Sequence, residues 1–423
     1  MKVALVTPFT THLPLYPSAY LGYGIASLRE MCDLDVIDFN AEIYQENRIK
    51  LREILSTFEN QDILIDSLGF YPLYYHLLDS VEIGYQRVSW GEYESTFITI
   101  PSWFVTVPTD AVLKIANQIR KKSTDTEVYF FGNSLGSWTD ENELRNNKIH
   151  VRHLNHLFQS NGSGEPVNYD SLPTPVYENR YKYLFDMLPF RLKHGCIWGG
   201  CRFCSLAKGW NSGYLERDPK KVVREIRELI DKYDPKMFAC TDNSINGDNL
   251  LEFCEYFKDF KKPWAGMARA DLSRKEISGL QNAGCKLIYF GLESGSDRVL
   301  NEINKGITSK QLSMFIGNLD DHNIMPYPSV FVGSPSETED DFRKTIQFLL
   351  AHRRYFEVIN VFPFLITPAS DFCLENKRPH EHALKRLNEL IRVCKDAGIK
   401  VCVGEQSGEY AICKTIFPGH RNY

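Results

Sequence analysis

Short apolar stretches alternate with longer amphipathic stretches in the first 155 residues of the chain. The apolar stretches predict buried strands at residues 3–9, 34–39, 62–68 and 127–131. Helical spacing of apolar residues predicts helices at residues 19–31, 41–58 and 110–122. Strands that alternate with helices indicate an α/β fold, here a doubly wound, mostly parallel, Rossmann-like sheet. A sheet of this kind binds ligands at the carboxyl ends of its strands.

The stretch from 71 to 106 breaks this rhythm because it is rich in aromatic residues. They are Tyr71, Tyr74, Tyr75, Tyr85, Trp90, Tyr93, Phe97, Trp103 and Phe104. We expect a helix and a strand that pack these rings into the core, since aromatic side chains dominate protein cores. The alternative is a lid or one wall of a substrate pocket.

A second series of strands and helices follows residues 157–185, a segment rich in Gly, Pro and Ser that is predicted to be a linker. The predicted strands are at 187–192, 237–241, 264–268, 286–291, 327–332 and 357–362. The predicted helices are at 220–232, 247–257, 274–283, 296–303, 309–320 and 338–352. This pattern predicts a partial (β/α)6 barrel of the TIM type, with its chemistry at the carboxyl ends of the strands. The expected organisation is a Rossmann-like domain at 1–156, the linker, the barrel at 186–370 and a C-terminal extension at 371–423.

Charge and composition exclude some partners. The net charge is −5 without a Lys/Arg block, so we expect no nucleic-acid partner. The longest apolar runs are too short to cross a bilayer, and the first residues lack the features of a signal peptide. We therefore expect a cytoplasmic protein without a membrane partner. In that compartment the eleven cysteines are not expected to form a disulfide framework.

Three of the cysteines are bunched as C-x4-C-x2-C, at Cys196, Cys201 and Cys204. Three thiolates on a glycine-containing loop just after a strand can hold one face of a small inorganic cluster, and Gly199 and Gly200 let the loop curl around it. Closed structural sites need four ligands, so one iron is left open for an exogenous ligand. The alternative is a structural zinc site that borrows His194, although its position so close to Cys196 would strain the usual ligand spacing.

This loop, with the aromatic Phe203 before its last cysteine, resembles the radical S-adenosylmethionine (SAM) superfamily. The usual spacing there is C-x3-C-x2-C, and the longer first gap of this chain resembles variants that modify peptides and other natural products. The resemblance implies that Cys196, Cys201 and Cys204 hold a [4Fe–4S] cluster. It also implies that SAM binds the open iron and is cleaved reductively to methionine and a 5′-deoxyadenosyl radical.

Other strand ends extend the resemblance over residues 190–370. Residues 290–296 resemble the fourth-strand segment of these enzymes, which implies that Glu293 and Ser294 hydrogen-bond the amino group or ribose of SAM. Residues 332–338 resemble the fifth-strand turn, where Gly333 would let the backbone approach the adenosine. Asp242 and Asn243 follow the second strand, and Arg269 follows the third and could pair with the SAM carboxylate. Phe203 completes the expected SAM site.

An α/β domain before such a barrel resembles the cobalamin-binding class of radical SAM enzymes, as do residues 17–30 and 170–175. If cobalamin binds, the strand-end loops would line it, namely Thr7, Pro8, Phe9, Leu68, Gly69, Gly132 and Asn133. No D-x-H-x-x-G motif is present, so no histidine is a candidate for the lower axial ligand. The alternative is a degenerate domain that binds substrate or nothing.

These resemblances imply a cobalamin-dependent C-methyltransferase that acts on a natural product or peptide and takes electrons from a flavodoxin- or ferredoxin-type donor. One alternative is a cobalamin-independent epimerase, cyclase or rearrangement enzyme, in which Cys373, Cys402 or Cys413 returns a hydrogen atom. Each of these thiols is more typical of a buried apolar residue. A non-catalytic iron–sulfur or zinc protein is the alternative from another class.

Overall fold

The structure, a computed structural model, contains two parallel β-sheets with helices between the strands. It describes residues 2–8, 16–47, 63–65, 83–99, 109–132, 140–153, 157, 167–183, 185–204, 214–367 and 370–403. All strand pairings in the two large sheets are parallel, and a short two-stranded antiparallel pair stands beside them. The predicted α/β class is confirmed.

The first sheet has five strands in the order β2-β1-β4-β5-β6. They are β1 (Lys2–Thr7), β2 (Asp33–Asp38), β4 (Ser95–Thr99), β5 (Glu127–Gly132) and β6 (His150–His153). The helices of this part are Ala19–Arg29, Phe39–Glu46, Thr109–Lys122 and Glu141–Asn146. The strand order reverses beside β1, as a doubly wound sheet requires.

One predicted strand of this sheet lies elsewhere. The segment predicted at 62–68 is described only as β3 (Ile63–Ile65), and β3 pairs with β15 (Lys400–Val403) in the second sheet. Its assignment to the first sheet is wrong. The central position beside β1 belongs instead to β4, which falls inside the aromatic stretch.

The second sheet has eight strands in the order β3-β15-β14-β13-β12-β11-β10-β7. Its remaining strands are β7 (Met187–Phe190), β10 (Met237–Cys240), β11 (Trp264–Ala268), β12 (Cys285–Glu293), β13 (Met325–Val332) and β14 (Val358–Pro363). The helices are Pro219–Tyr233, Leu250–Phe257, Arg274–Asn282, Asp297–Glu302, Ser309–Asp321, Glu339–Ala351, Asp371–Leu374 and Ala383–Asp396. The six predicted strands form the continuous run from β14 to β7 in this partial barrel. The C-terminal extension adds a strand, β15, that was not predicted.

The two faces of the second sheet have different neighbours. On one face, residues such as Phe238 and Trp264 pack with the barrel helices in one large core. On the other, concave face, Met187, Met237 and Ala239 belong to the core of the first sheet. The first sheet and its helices therefore pack against the β7–β10 end of the concave face.

A buried polar network joins these two parts. Tyr23, on the first helix, donates a hydrogen bond to Glu225 at 2.5 Å and accepts one from Arg217 at 2.8 Å. The Arg217 guanidinium also contacts Glu225 at 3.0 Å and Asp170 of the predicted linker at 2.8 Å. Beside it, Arg191 donates to the Tyr20 hydroxyl at 2.7 Å. Because buried charges need partners, these contacts fix how the two parts meet.

Two further predictions concern the aromatic stretch and the linker. Tyr85, Trp90 and Tyr93 are buried core residues, as expected for the first interpretation of that stretch. Tyr71, Tyr74, Tyr75, Trp103 and Phe104 lie outside the described residues. Of the linker, residues 157, 167–183 and 185 are described, and this segment contributes Tyr169 and Tyr177 to the buried core. The boundaries of the domains stay a prediction.

Candidate active site

The three-cysteine loop directly follows the first barrel strand and is fastened at several points. At the start of the loop, strand β8 (Lys193–His194) pairs with β9 (Leu215–Glu216). Further along, the Trp198 indole donates to the backbone oxygen of Asn304 at 2.9 Å, and the Asn304 amide donates to the backbone oxygen of Gly200 at 2.7 Å. The Arg202 guanidinium forms two hydrogen bonds with Glu375, at 2.6 and 2.7 Å. The loop is therefore held against the turn after β12 and against the C-terminal extension.

The donor set of this loop suits an iron–sulfur cluster. Cys196, Cys201 and Cys204 are all half-buried, and none of the described cysteines forms a disulfide. Burial raises the pKa of the Cys201 thiol to about 11, although the nearby Lys305 ammonium acts in the opposite direction. Among the residues that the structure describes, no three His, Cys, Asp or Glu side chains gather closely enough around one point to hold a single ion. A four-iron cluster takes one thiolate per iron, so its ligands are spread over its corners.

Glu293 and Lys305 form a buried ion pair behind this loop. The Lys305 Nζ donates to Glu293 Oε1 at 2.8 Å, and both side chains are buried. The register of β12 against β13 shifts between Gly291 and Glu293, and Glu293 has a φ of 62°. Such a bulge with a left-handed residue re-aims a side chain and is common at functional sites. Gly291 leaves the space for it, because a Cβ there would lie 1.9 Å from Glu293 Oε1.

Arg269 lies between this pair and the cysteine loop. Its guanidinium carbon lies 4.7 Å from the centroid of the Trp198 ring, and its Nη2 donates to the backbone oxygen of Lys305 at 3.0 Å. Its Nε donates to Asp271 at 2.9 Å. The structure thus brings Arg269 and Glu293, two predicted SAM contacts, to the side of the predicted cluster loop.

The other predicted SAM contacts have mainly structural partners. Asp242 is buried and accepts the backbone N–H groups of Leu192 and Lys193, at 2.9 and 2.8 Å, so it holds the start of the cysteine loop. Burial raises the pKa of this carboxyl group. Phe203 packs edge-to-face on Phe331, with ring centroids 5.5 Å apart.

Ser294 and Gly333 also contact other parts of the barrel. The Ser294 hydroxyl lies 2.9 Å from Thr345 Oγ1 on the helix Glu339–Ala351. Gly333 has a φ of 84°, and a Cβ there would lie 2.3 Å from the Cβ of Ala383. These contacts give both residues a structural reason to be present, and their predicted roles with SAM stay predictions that this geometry does not favour.

At the first sheet, the predicted cobalamin-lining residues are only partly described. Thr7 ends β1 and Gly132 ends β5, so both lie at the carboxyl edge of that sheet. The Pro8 backbone oxygen accepts a hydrogen bond from Asn40 at 3.0 Å. Phe9, Leu68, Gly69 and Asn133 lie outside the described residues. For Leu68 and Gly69 the preceding strand belongs to the other sheet, so the basis for placing them at this edge is lost.

Lys305 is the residue of this site that sequence reasoning missed. It lies in an exposed-looking Asn-Lys-Gly turn, where a lysine is typical of a solvated surface. The signal that was available is its position twelve residues after Glu293, across a short helix that returns the chain to the same strand end.

Comparison with known proteins agrees with this geometry. Residues 190–349 match the sequence profile of the radical SAM superfamily. This part of the barrel is therefore a radical SAM domain, a domain whose family members use a [4Fe–4S] cluster and SAM. No helix in the described part of the chain is long and apolar enough to cross a membrane.

Two relatives in sequence match part of the chain. An uncharacterised methyltransferase of Pyrococcus horikoshii is 26% identical over 43% of this chain and 41% of its own length. An anaerobic magnesium-protoporphyrin IX monomethyl ester cyclase of Rubrivivax gelatinosus is 32% identical over 34% of this chain and 27% of its own length. The matched segments thus span less than half of either relative.

Two solved structures share the fold over most of the chain. The radical SAM methyltransferase TsrM from Kitasatospora setae, solved with cobalamin and a [4Fe–4S] cluster, aligns with a TM-score of 0.57 and 14% identity over 88% of this chain and 77% of TsrM. The cobalamin-dependent radical SAM enzyme OxsB aligns with a TM-score of 0.58 and 16% identity over 82% of this chain and 51% of OxsB. The first sheet, the linker and the barrel are therefore arranged as in the fold of these two proteins.

Proposed function

We propose that this radical SAM enzyme is a cobalamin-dependent C-methyltransferase that acts on a natural product or a peptide. The observation that carries the radical step is the three-cysteine loop, fastened beside the buried pair of Glu293 and Lys305 at the strand ends. The proposal of methyl transfer rests on the fold shared with TsrM and OxsB, which includes the first sheet.

Each part of the site has a task in this proposal. Cys196, Cys201 and Cys204 would hold the cluster, which when bound would supply one-electron reduction of SAM. Glu293 and Lys305 present one negative and one positive charge side by side. This pair is complementary to the ammonium and carboxylate groups of an amino acid such as the methionine part of SAM. Arg269 adds a second cation at the same place, where a guanidinium suits a carboxylate.

Cobalamin would lie at the carboxyl edge of the first sheet, which is where a doubly wound sheet binds its ligands. Of the predicted lining residues, Thr7, Pro8 and Gly132 are described and lie at that edge. Small residues and backbone groups there suit the close approach of a large ring.

Anaerobic reconstitution with iron, sulfide, SAM and a reductant tests the radical step. We expect methionine and 5′-deoxyadenosine to form in equal amounts, with about four irons per chain. The Cys201→Ala variant should lose the product and most of the iron. The Cys373→Ala variant, which removes an exposed thiol outside the loop, should keep both. Equal activity of native protein and Cys201→Ala would overturn the assignment.

Expression with hydroxocobalamin tests the methyltransferase proposal separately. A stoichiometric corrinoid absorption spectrum in the purified protein is expected. A protein that cleaves SAM but binds no corrinoid would instead be a cobalamin-independent epimerase, cyclase or rearrangement enzyme.

A further inference from the structure

The concave face of the barrel carries a polar row below the SAM-binding strand ends. The register of the sheet places Gly291, Ser329, Asn360 and Cys402 side by side on β12, β13, β14 and β15. Cys402 packs with Leu287, Tyr327 and Val358 in a small cluster separate from the helix-facing core. Because side chains alternate along a strand, Asn360 shares the face of Val358. Its amide therefore points into the barrel.

Asn360 is unusual in this row because its amide is buried without partners. The residue is 0% exposed. Within the described residues, neither its Oδ1 nor its Nδ2 has a hydrogen-bond partner. A buried amide that makes no hydrogen bond destabilises the folded chain. Polar groups kept at such a cost are typical of sites that are completed by a ligand.

The surroundings of Asn360 define the kind of ligand. Its described neighbours in the sheet, Ser329, Cys402 and Val358, carry no formal charge. The rings of Tyr289 and Tyr327 lie one level below, with centroids 5.1 Å apart. A site of this composition suits a neutral group, since a charged one would be buried without a counter-charge.

The distance from the SAM region also fits. Asn360 lies two strands from Gly291, which is about 10 Å at roughly 4.8 Å per strand. Gly291 directly adjoins the pair of Glu293 and Lys305. A substrate group held by Asn360 would therefore lie beside a SAM molecule held at that pair.

We propose that Asn360 is a substrate-positioning residue that recognises a neutral amide of the substrate, such as a peptide or carboxamide group. The amide oxygen of Asn360 accepts from the substrate N–H, and its NH2 group is left for a second carbonyl of the substrate, because the N–H and C=O of one trans amide point in opposite directions. This inference rests on the proposed radical SAM function, because it places the substrate relative to SAM.

The stability of the reconstituted full-length enzyme gives a test that needs no substrate. Replacing Asn360 by Leu removes an unpartnered amide, so Tm should rise by about 2 °C or more. Asn246 is the matched control, since its buried amide is fully bonded to Ser244, Arg269 and Asp271. Asn246→Leu should lower Tm by several degrees. If Asn360→Leu lowers Tm as much as Asn246→Leu, the amide has a structural role and the proposal fails.

Binding of a small amide gives the second test. N-Methylacetamide and its ester isostere methyl acetate serve as probes in saturation-transfer NMR with the reconstituted enzyme. We expect N-methylacetamide to give a signal that falls at least threefold in Asn360→Leu and in Asn360→Asp, whereas methyl acetate should give little in any of them. An equal N-methylacetamide signal in native enzyme and both variants would contradict the proposal.

SAM cleavage in the absence of substrate separates the two proposals. Asn360→Leu should retain it within about twofold, since Asn360 lies two strands from Gly291 and the adjoining SAM site. If the native enzyme does not cleave SAM, the result counts against the radical SAM function. Retained cleavage with no effect of Asn360→Leu on either probe binding or Tm would count against Asn360 alone.

Discussion

Asn304 shows how a single residue can fasten the cysteine loop. It has a φ of 51°, in the left-handed region, where asparagine is tolerated better than most side chains. Its amide donates to the Gly200 backbone oxygen, and its own backbone oxygen accepts from Trp198. The turn that carries Asn304 therefore sets the position of the loop between its first two cysteines.

We expect Asn304→Ala to loosen this loop. The variant loses the hydrogen bond to Gly200, and alanine in a left-handed conformation destabilises the folded state by about 1 kcal/mol. Iron bound after anaerobic reconstitution should fall at least twofold, and Tm should decrease. Asn304→Gly is the control that keeps the backbone conformation and loses only the side-chain bond, so its defect should be smaller. Identical iron loss in the two variants would show that only the side-chain bond matters.

At this scale the sequence revealed residues whose chemistry is grouped along the chain. The three cysteines are recognisable because their spacing is local, and Glu293 because it ends a clear strand. Lys305 and Asn360 were missed because their meaning depends on what lies across the fold from them. A lysine in a turn and an asparagine in a strand have no local signal for burial.

Among the elements, the helix Glu339–Ala351 has an N-terminus that is hydrogen-bonded both within the helix and to residues before it. Thr338 and Asp341 form a reciprocal capping box. Asp341 also accepts hydrogen bonds from Ser296 at 2.6 Å and from Arg298 Nε at 3.0 Å. Burial alone would raise the pKa of Asp341, but the bonds from Arg298, Ser296 and Thr338 outweigh it and hold the pKa well below its usual range. This carboxylate joins the helix to the turn after β12.

We expect Asp341→Asn to lower the free energy of unfolding by about 2 kcal/mol at pH 7, because charge-assisted bonds are lost. A group with a depressed pKa stabilises the folded state above its unfolded pKa and loses that contribution as pH falls through its folded pKa. The difference between native protein and Asp341→Asn should therefore shrink as pH falls below about 4. Urea unfolding at several pH values measures it.

The neighbouring Asp340 provides the control. It is exposed, and among the described residues it pairs only with the exposed Lys344 along the same helix. Asp340→Asn should change the free energy of unfolding by less than about 0.5 kcal/mol at any pH. A pH-independent effect of Asp341→Asn would contradict the role assigned to its charge.

The six predicted strands of the barrel followed from periodicity, whereas the places of β3 and β15 in the second sheet did not. Each of the six predicted barrel strands overlaps an observed strand, because buried parallel strands are continuous apolar runs. The pairing of β3 with β15 joins segments roughly 340 positions apart, and no local pattern encodes such a partner.

On the scale of the whole molecule, the Tyr23 hydroxyl is a central point of the joint between the first sheet and the barrel. It lies between Glu225 and Arg217, both of which are buried charged groups. We expect Tyr23→Phe to lower the free energy of unfolding by about 1–3 kcal/mol, because these charges lose a partner. Urea denaturation of the full chain measures the change.

Tyr177→Phe is the matched control for this joint. Its hydroxyl is also buried, but within the described part of the chain it makes only a long, neutral hydrogen bond of 3.4 Å to the Pro189 backbone oxygen. The loss should be below about 1 kcal/mol. If both variants lower the free energy of unfolding equally, the charged partners of Tyr23 add nothing to the stability of this joint.

The placement of β3 at the edge of the barrel has a consequence for synthesis on the ribosome. Ile63–Ile65 emerges early, whereas its partner Lys400–Val403 emerges roughly 340 residues later. At about 5–20 residues per second, the early strand waits tens of seconds before it can pair. During that time an unpaired apolar segment is exposed in the nascent chain, so production of this enzyme should benefit from slow growth at low temperature or from added chaperones.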